Sequence, residues 1–568
     1  MSWKATVARK SQDRLANAEV LRLIERGMSY REVAERLGVS KSSVGRIVKS
    51  ESRGSPPSPA APPRRQEPEP PEKERKKPVR IGHIDAIDRP IDPGIVTRVI
   101  LTSAQDDTQV FEPFWENLKA YADYIGASIS VGGYTYQLGL YEDHAVATAV
   151  YAPELREYLT FERIRAGNVL IVSDANVLPT TANPLSGWLT INSGNHVAIP
   201  HARVALQSIP RMTGSPPRYC VSTGTVTRPS YTPRAAGRKA VHHHTYGALL
   251  VEFDADGEVF FRHLLADVDG SFQDLNTFVQ GNIVHEDCRV KTITWGDVHH
   301  EQLDGAIAKA SWGYDAQTKR IFPGDSVLDK LKPELQFLHD TIDFRRRNHH
   351  DVRDPHRRAQ VLQSSSGSVG DEIKEAAHFV NQVRRPWCST VVIESNHDAA
   401  LAKWLKDPEG AADPVNAEYW HARNFYWHRA IRMHLDDYNV VHDALRKAGL
   451  ANDVLFVPSG KSLSVNGIEH GLHGDVGIGG SKGSPMQYRR LGPKVTSAHT
   501  HTPQIVDGVY VAGLSGSLDQ GYNSRGPTTW AHAHVVGYGN GKRTLLCMSA
   551  DGRWKAGMTD VEEIGLAA

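Results

Sequence analysis

Four short histidine-rich strings close or follow apolar runs, and their order constrains the fold more than any other feature of the chain. They are Gly296-Asp297-Val298-His299, His339-Asp340-Thr341-Ile342-Asp343, Ser395-Asn396-His397-Asp398 and Ala498-His499-Thr500-His501-Thr502; a fifth, Leu472-His473-Gly474-Asp475, lies between the last two. Ile293-Thr294-Trp295 and Thr390-Val391-Val392-Ile393 read as buried strands. Each hands its polar residues to the loop at its carboxyl end, where open α/β sheets build their sites. A chain patterned in this way is expected to fold as an α/β protein around one polar centre. Carboxylate and amide oxygens mixed with imidazole nitrogens suit a pair of divalent transition metals.

In this order the strings resemble the motifs of the calcineurin-like metallophosphoesterases: Asp-x-His, Gly-Asp-x-x-Asp, Gly-Asn-His-Asp/Glu, a lone His, then Gly-His-x-His. The likeness runs from about Lys291 to Ser515. It implies a metallophosphoesterase-type α/β sandwich in which Asp297, His299 and His501 hold one metal and Asp340 bridges to a second. Asn396, His473 and His499 would hold that second ion, and His397 would approach the phosphate and assist the leaving oxygen. His339, Ser395 and Ala498 stand where the family has Gly, so these departures bear on loop geometry more than on chemistry. His470 is the alternative to His473. Two cations roughly 3.5–4 Å apart would clamp a phosphate and generate hydroxide for in-line attack on phosphorus. Mn²⁺ is the first choice for this ligand set, with Mg²⁺, Fe, Zn and Ni left open. The whole chain resembles the large metallophosphoesterases of tailed bacteriophages, including the early host-DNA-degrading kind of T5-like phages.

Among 27 histidines any single one is most simply an ordinary polar residue, so the argument rests on the set. His242-His243-His244 reads as a solvated loop, or at most a substrate-edge contact. His349-His350, after Arg345-Arg346-Arg347, reads as a basic surface near the site.

The other end of the chain carries a second pattern. Ala18 to Gly27 reads as an amphipathic helix closed by Gly. Ser29 then caps a helix over Tyr30–Leu37 with Glu32 completing a capping box, and Ser40 caps a third helix over Lys41–Lys49. The segment resembles the helix-turn-helix of resolvases and transposases, with Ala34, Gly38, Val39 and Val44 at packing positions. That resemblance implies DNA contact through Lys41, Ser42, Ser43 and Arg46 at the start of the recognition helix. A protein-binding or oligomerising three-helix module is the alternative. One such unit covers little surface, so several copies on a homo-oligomer are expected.

From Glu51 to Pro78 the chain is Pro, Glu, Arg, Lys and Ser with almost no large apolar residue, and it is expected to be an extended linker that tethers the small module. The rest divides into an accessory α/β domain over 79–290 and a dinuclear metallophosphoesterase domain over 291–568. In the former, Arg98–Ser103, Phe111–Ile125 and Ser128–Val131 read as a βαβ unit, and Ala248–Phe253 with Glu258–Arg262 as a hairpin about Asp254-Ala255-Asp256-Gly257. Near the end, segments beginning at Val509, Ala533 and Lys542 read as strands closing a sheet edge. In the helical stretch Asn416–Leu450, Trp420, Phe425, Tyr426 and Trp427 read as core.

Net charge is only +1, so attraction to nucleic acid must come from patches; Arg345–Arg347 and Arg489-Arg490 are the candidates. The four cysteines are far apart, which argues against structural zinc and disulfides and for a reducing compartment: the cytoplasm, or a host's cytoplasm if the chain is phage-encoded. No apolar stretch reaches membrane-spanning length, and no membrane partner is expected. The expectation is a DNA-directed phosphodiesterase, a nuclease with a tethered DNA reader. Two alternatives stay open: a protein or small-molecule phosphoesterase, and a DNA-binding regulator with a vestigial metal site.

Overall fold

A computed structural model describes residues 17–51, 85–136, 150–192, 194–348, 354–521, 523 and 525–558. The chain divides into two compact units, Met1–Lys77 and Pro78–Ala568. The linker expected over 51–78 and the pair His349-His350 lie outside the described residues, Glu51 excepted.

In the first unit, helices α1 (17–25), α2 (Tyr30–Leu37) and α3 (Lys41–Glu51) close over Val20, Leu23, Val33, Ala34 and Val44. Ser29 and Glu32 form the expected capping box, and Gly38 ends α2 at φ 64°, a left-handed backbone that costs Gly no Cβ clash. Ser40 accepts the Ser43 N–H at 3.2 Å and so caps α3. Val39, expected to pack, is 41% exposed because the turn points it outward.

The second unit is mixed α/β. Strand β1 (Thr97–Gln105), helix α4 (Glu112–Ile125) and parallel strand β2 (Ser128–Tyr134) form the expected βαβ unit. Strands β3 (Gly247–Phe253) and β4 (Val259–Leu265) pair as the expected hairpin, and the five-stranded sheet runs β4-β3-β1-β2 and then Leu159–Thr160.

The sheet that carries most of the histidine strings has six strands. Parallel strands β5 (Thr292–Thr294), β6 (Leu335–His339), β7 (Ser389–Ile393) and β8 (Leu455–Val457) lie side by side in chain order. Antiparallel β10 (Ala533–Gly537) flanks β5, and β11 (Arg543–Cys547) closes that edge. Alternation sorts its side chains: Leu338 and Val392 pack with Ile307, Ile373, Leu401 and Val441 of the covering helices, while Phe337, Val391 and Ile393 turn toward Leu463 and Val465.

Val465 belongs to an eleven-stranded sheet, which also holds β9 (Lys494–Ser497). This sheet pairs Leu206–Ile209 with Gln504–Val506, so a boundary at residue 290 cuts through it. Two further expectations need correction. His242 and His243 lie in the last turn of the helix Ala235–His243, and His244 is tied to Tyr231 Oη (2.7 Å) and Thr227 O (2.9 Å), so the triplet is not a solvated loop. In the helix Ala417–Arg432, Trp420 and Trp427 pack against the core, but Phe425 is 58% exposed. The four cysteines are free thiols. Among the described residues no helix is long and apolar enough to cross a membrane.

Candidate metal centre

The carboxyl ends of β5, β6, β7 and β9 converge, and each delivers part of one polar cluster. Beyond β5 the chain turns at Gly296, whose position leaves no room for a side chain: a Cβ would stand 2.7 Å from Leu514 N. This close approach lets Asp297 N–H donate to Gly513 O (3.1 Å) and Ser515 N–H donate to Asp297 O (2.8 Å), which fixes Asp297 across the gap between two loops. Gly474, at φ 130°, allows the His473 loop to lie against the last string, since a Cβ there would meet Ala498 O at 2.9 Å.

Asp297, His299, Asp340 and His501 are all buried, and one ligand atom of each lies within 4.8 Å of the others. His501 Nε2 is 3.2 Å from Asp297 Oδ2, and His299 Nε2 is 3.5 Å from Asp340 Oδ2. His473 Nε2 joins from the other side, 3.4 Å from Asp340 Oδ2 and 3.0 Å from Asn396 Oδ1. His499 borders this second group, with its ring 5.0 Å from that of His473, and is half-buried. The His397 ring lies 4.8 Å from that of His299, with its side chain 23% exposed at the edge of the cluster. His470 does not enter the cluster; it stacks on Phe337 at 4.4 Å.

None of the four carboxylate oxygens of Asp297 and Asp340 has a hydrogen-bond partner, although both residues are buried. Two buried carboxylates without hydrogen bonds, faced by imidazoles alone, are costly to ionise unless cations neutralise them. Burial, and then the charge of Asp340, lift the Asp297 carboxyl well above the usual range. Burial pushes Asp340 the same way but is overcome by His473, His397 and His299, which hold it well below that range. Burial lowers His473 and His501 well below the usual imidazole range, against the charge of Asp340, and so favours the deprotonated form that ligates metal. Asp297, His299, Asp340 and His501 together could hold a metal ion, and His473 and Asn396 lie beside Asp340 on the other side of it.

Backbone strain falls on the same residues. His299, Asp340, His499 and His501 adopt φ of 45°, 48°, 72° and 55°, a left-handed region uncommon for non-glycine residues, and four of the fourteen such residues described fall in this one cluster. His339, Ser395 and Ala498, each just before a residue of the cluster, do not have positive φ. The Ser395 hydroxyl and N–H both donate to Asp398 Oδ2, at 2.9 and 3.0 Å. Asp398 Oδ1 in turn accepts the Ile342 N–H at 3.0 Å, locking the second and third strings together.

Asp343 was not among the residues assigned from sequence. Its Oδ1 accepts from His299 Nδ1 at 3.1 Å and its Oδ2 from Gln302 Nε2 at 2.6 Å, while its carbonyl meets His397 Nδ1 at 2.9 Å. It thereby orients both histidines. Burial opposes charge on both members of the His299–Asp343 pair, but their mutual hydrogen bond and charge prevail: Asp343 is held at about 2 and His299 is raised to about 9. Its presence inside the second string was the available signal. Arg346 and Arg347, by contrast, are no basic patch: Arg346 is buried against Glu301 (2.6 Å) and Glu375 (3.2 Å), and Arg347 pairs with Asp413.

In the small unit Lys41, Ser42 and Arg46 are exposed at the start of α3. Ser43 is half-buried, with its hydroxyl 2.9 Å from that of Ser40.

Residues 11–58 match the homeodomain-like domain family. No solved structure matches the chain. Over 462 residues it is 37% identical to Protein A1 of Escherichia phage T5, an alignment spanning 79% of this chain and 81% of that protein. The chain, a helix-turn-helix unit and a mixed α/β unit with a buried Asp/His cluster, therefore belongs to the family of phage T5 Protein A1.

Proposed function

We propose that the protein is a metal-dependent phosphodiesterase acting on DNA, a nuclease with the catalytic site of the calcineurin-like metallophosphoesterases. The observation that carries this reading is the pair Asp297 and Asp340, buried with unpartnered carboxylates amid His299, His473, His501 and Asn396. Two bound divalent cations, Mn²⁺ by preference, would supply Lewis-acid stabilisation and water of lowered pKa.

The chain's own residues supply positioning. Asp343 fixes the ring of His299, and its carbonyl fixes that of His397. Held through Nδ1, His397 presents Nε2 to the edge of the cluster, where it can donate a proton to the departing sugar oxygen. Asp398 keeps Asn396 and Asp340 in register by tying their loops together. Direction toward DNA rests on the helix-turn-helix and its exposed Lys41, Ser42 and Arg46. A homo-oligomer presenting several such modules would add avidity.

Incubation of linear and covalently closed duplex DNA with purified protein in Mn²⁺, Mg²⁺ or EDTA, beside Asn396→Ala, tests the reading. Metal-dependent cutting that the variant lacks is expected. Intact DNA, with a generic phosphodiester still hydrolysed, would reassign the protein as a phosphoesterase of small molecules or proteins.

A further inference from the structure

Away from the metal centre, a cleft of about 720 Å³ opens where β9 begins. Lys494 at that end of β9 and His499 beyond the other end are five residues apart, about 16 Å of extended chain. The cleft is therefore a separate place on the same unit. Six arginines and lysines line it against two aspartates, Asp267 and Asp507. Asp507 is already engaged by Arg203 (3.1 Å) and Arg489 (2.8 Å). Among the described residues Arg490, Lys494, Lys542 and Arg543 form no ion pair.

Arg543 makes this more than a solvated basic face. It is 2% exposed, and its guanidinium donates to Val495 O (2.6 Å), Gly508 O (2.6 Å) and Thr496 Oγ1 (3.0 Å) while lying 4.3 Å from the ring centre of Tyr510. These are dipoles and a π face, not a counter-charge. Burial pushes the guanidinium down to about 10, the behaviour of a cation that lacks an anion. Half-buried Lys542 and exposed Arg490 and Lys494 line the same space. One carboxylate would leave most of this charge unmet, whereas grouped phosphates offer several negative oxygens to several donors at once.

We propose that this cleft is a second phosphate-binding site that takes clustered phosphate groups, carried either by a free nucleoside polyphosphate or by a nucleic-acid backbone. The site does not depend on metal, so it is separable from the phosphodiesterase reading.

The test uses full-length protein in EDTA, which removes any metal-borne affinity for phosphate. Calorimetry with inorganic tripolyphosphate and fluorescence anisotropy with a 20-base-pair duplex compare the wild type with the double variant Lys494→Gln/Lys542→Gln. A loss of at least tenfold in tripolyphosphate affinity with duplex binding unchanged identifies the free polyphosphate. If the backbone is the ligand, duplex affinity falls as well, and the slope of log affinity against log salt becomes shallower by about 2, the value for two lost phosphate contacts. The charge-keeping pair Lys494→Arg/Lys542→Arg should bind as the wild type does. Unchanged binding of both ligands by the Gln pair overturns the proposal, as does a loss that the Arg pair shares.

Discussion

Asp343 Oδ1 stands 3.1 Å from His299 Nδ1, and this contact turns His299 Nε2 toward the buried carboxylate of Asp340 and toward His501. A carboxylate behind an imidazole ligand fixes its tautomer and raises its basicity. Asp343→Asn preserves shape and removes the charge. Its metal affinity or turnover should fall about 10–100-fold, the range seen when such outer partners are lost. Metal titration and hydrolysis of a chromogenic phosphodiester, with a thermal melt to confirm folding, check this; wild-type values for both would deny Asp343 an orienting role.

Asp340 and His397 should separate metal retention from turnover. Asp340→Ala takes away the carboxylate that lies between His299 and His473, so metal content and activity should disappear together. His397→Ala should keep metal and lose about 10²–10⁴-fold in turnover, the usual contribution of a general acid. Elemental analysis of both variants beside their rates decides the matter. Full metal content in Asp340→Ala would refute the proposal that it bridges two ions.

The site was legible because its residues sit directly beyond apolar runs, and β5, β6 and β7 fall on those runs. Strand partners are another matter. Leu206–Ile209 meets Gln504–Val506 across nearly three hundred residues, and periodicity names strands but not their neighbours. That is how one sheet came to span a boundary drawn at 290. Asp343 fills the second Asp of the Asp-x-x-Asp pattern, but spacing alone does not say what that carboxylate touches, and its part appears only where it meets His299 Nδ1. Phe425 was misjudged because the aromatic residues of Ala417–Arg432 run around the helix instead of forming one buried stripe.

The charge state of the cluster gives metal binding a pH dependence. In the metal-free protein His299 is raised to about 9 and Asp297 lies well above the usual carboxyl range. A raised group stabilises the fold fully below its unfolded pKa, and the contribution is lost as pH rises through the folded value. For His299 that window runs from about 6.5 to about 9. Melting in EDTA should therefore move to lower temperature across it, and His299→Gln should flatten the change. Metal needs the deprotonated ligands, so affinity should climb through the same window, about tenfold per pH unit for each proton released. Calorimetry in two buffers of different ionisation enthalpy counts those protons; no release at pH 7 would contradict the assignment of His299 as a ligand.

The helix-turn-helix should contribute DNA affinity through a few exposed residues of α3, and not evenly along its first turn. Lys41 and Arg46 are exposed, whereas Ser43 is half-buried with its hydroxyl beside that of Ser40. Lys41→Ala should weaken binding to all duplex sequences alike and reduce the salt slope by about 1, the mark of one phosphate contact. If Arg46 reads a base edge, Arg46→Ala should cost about 1–3 kcal/mol on a preferred site and little on random DNA. Ser43→Ala should leave DNA affinity near wild type, because this hydroxyl serves the start of the helix. Anisotropy titrations at several salt concentrations distinguish these outcomes. If all three variants bind as the wild type does, the three-helix unit is a protein-docking module, and the proposed nuclease reading loses the observation that directs it to DNA.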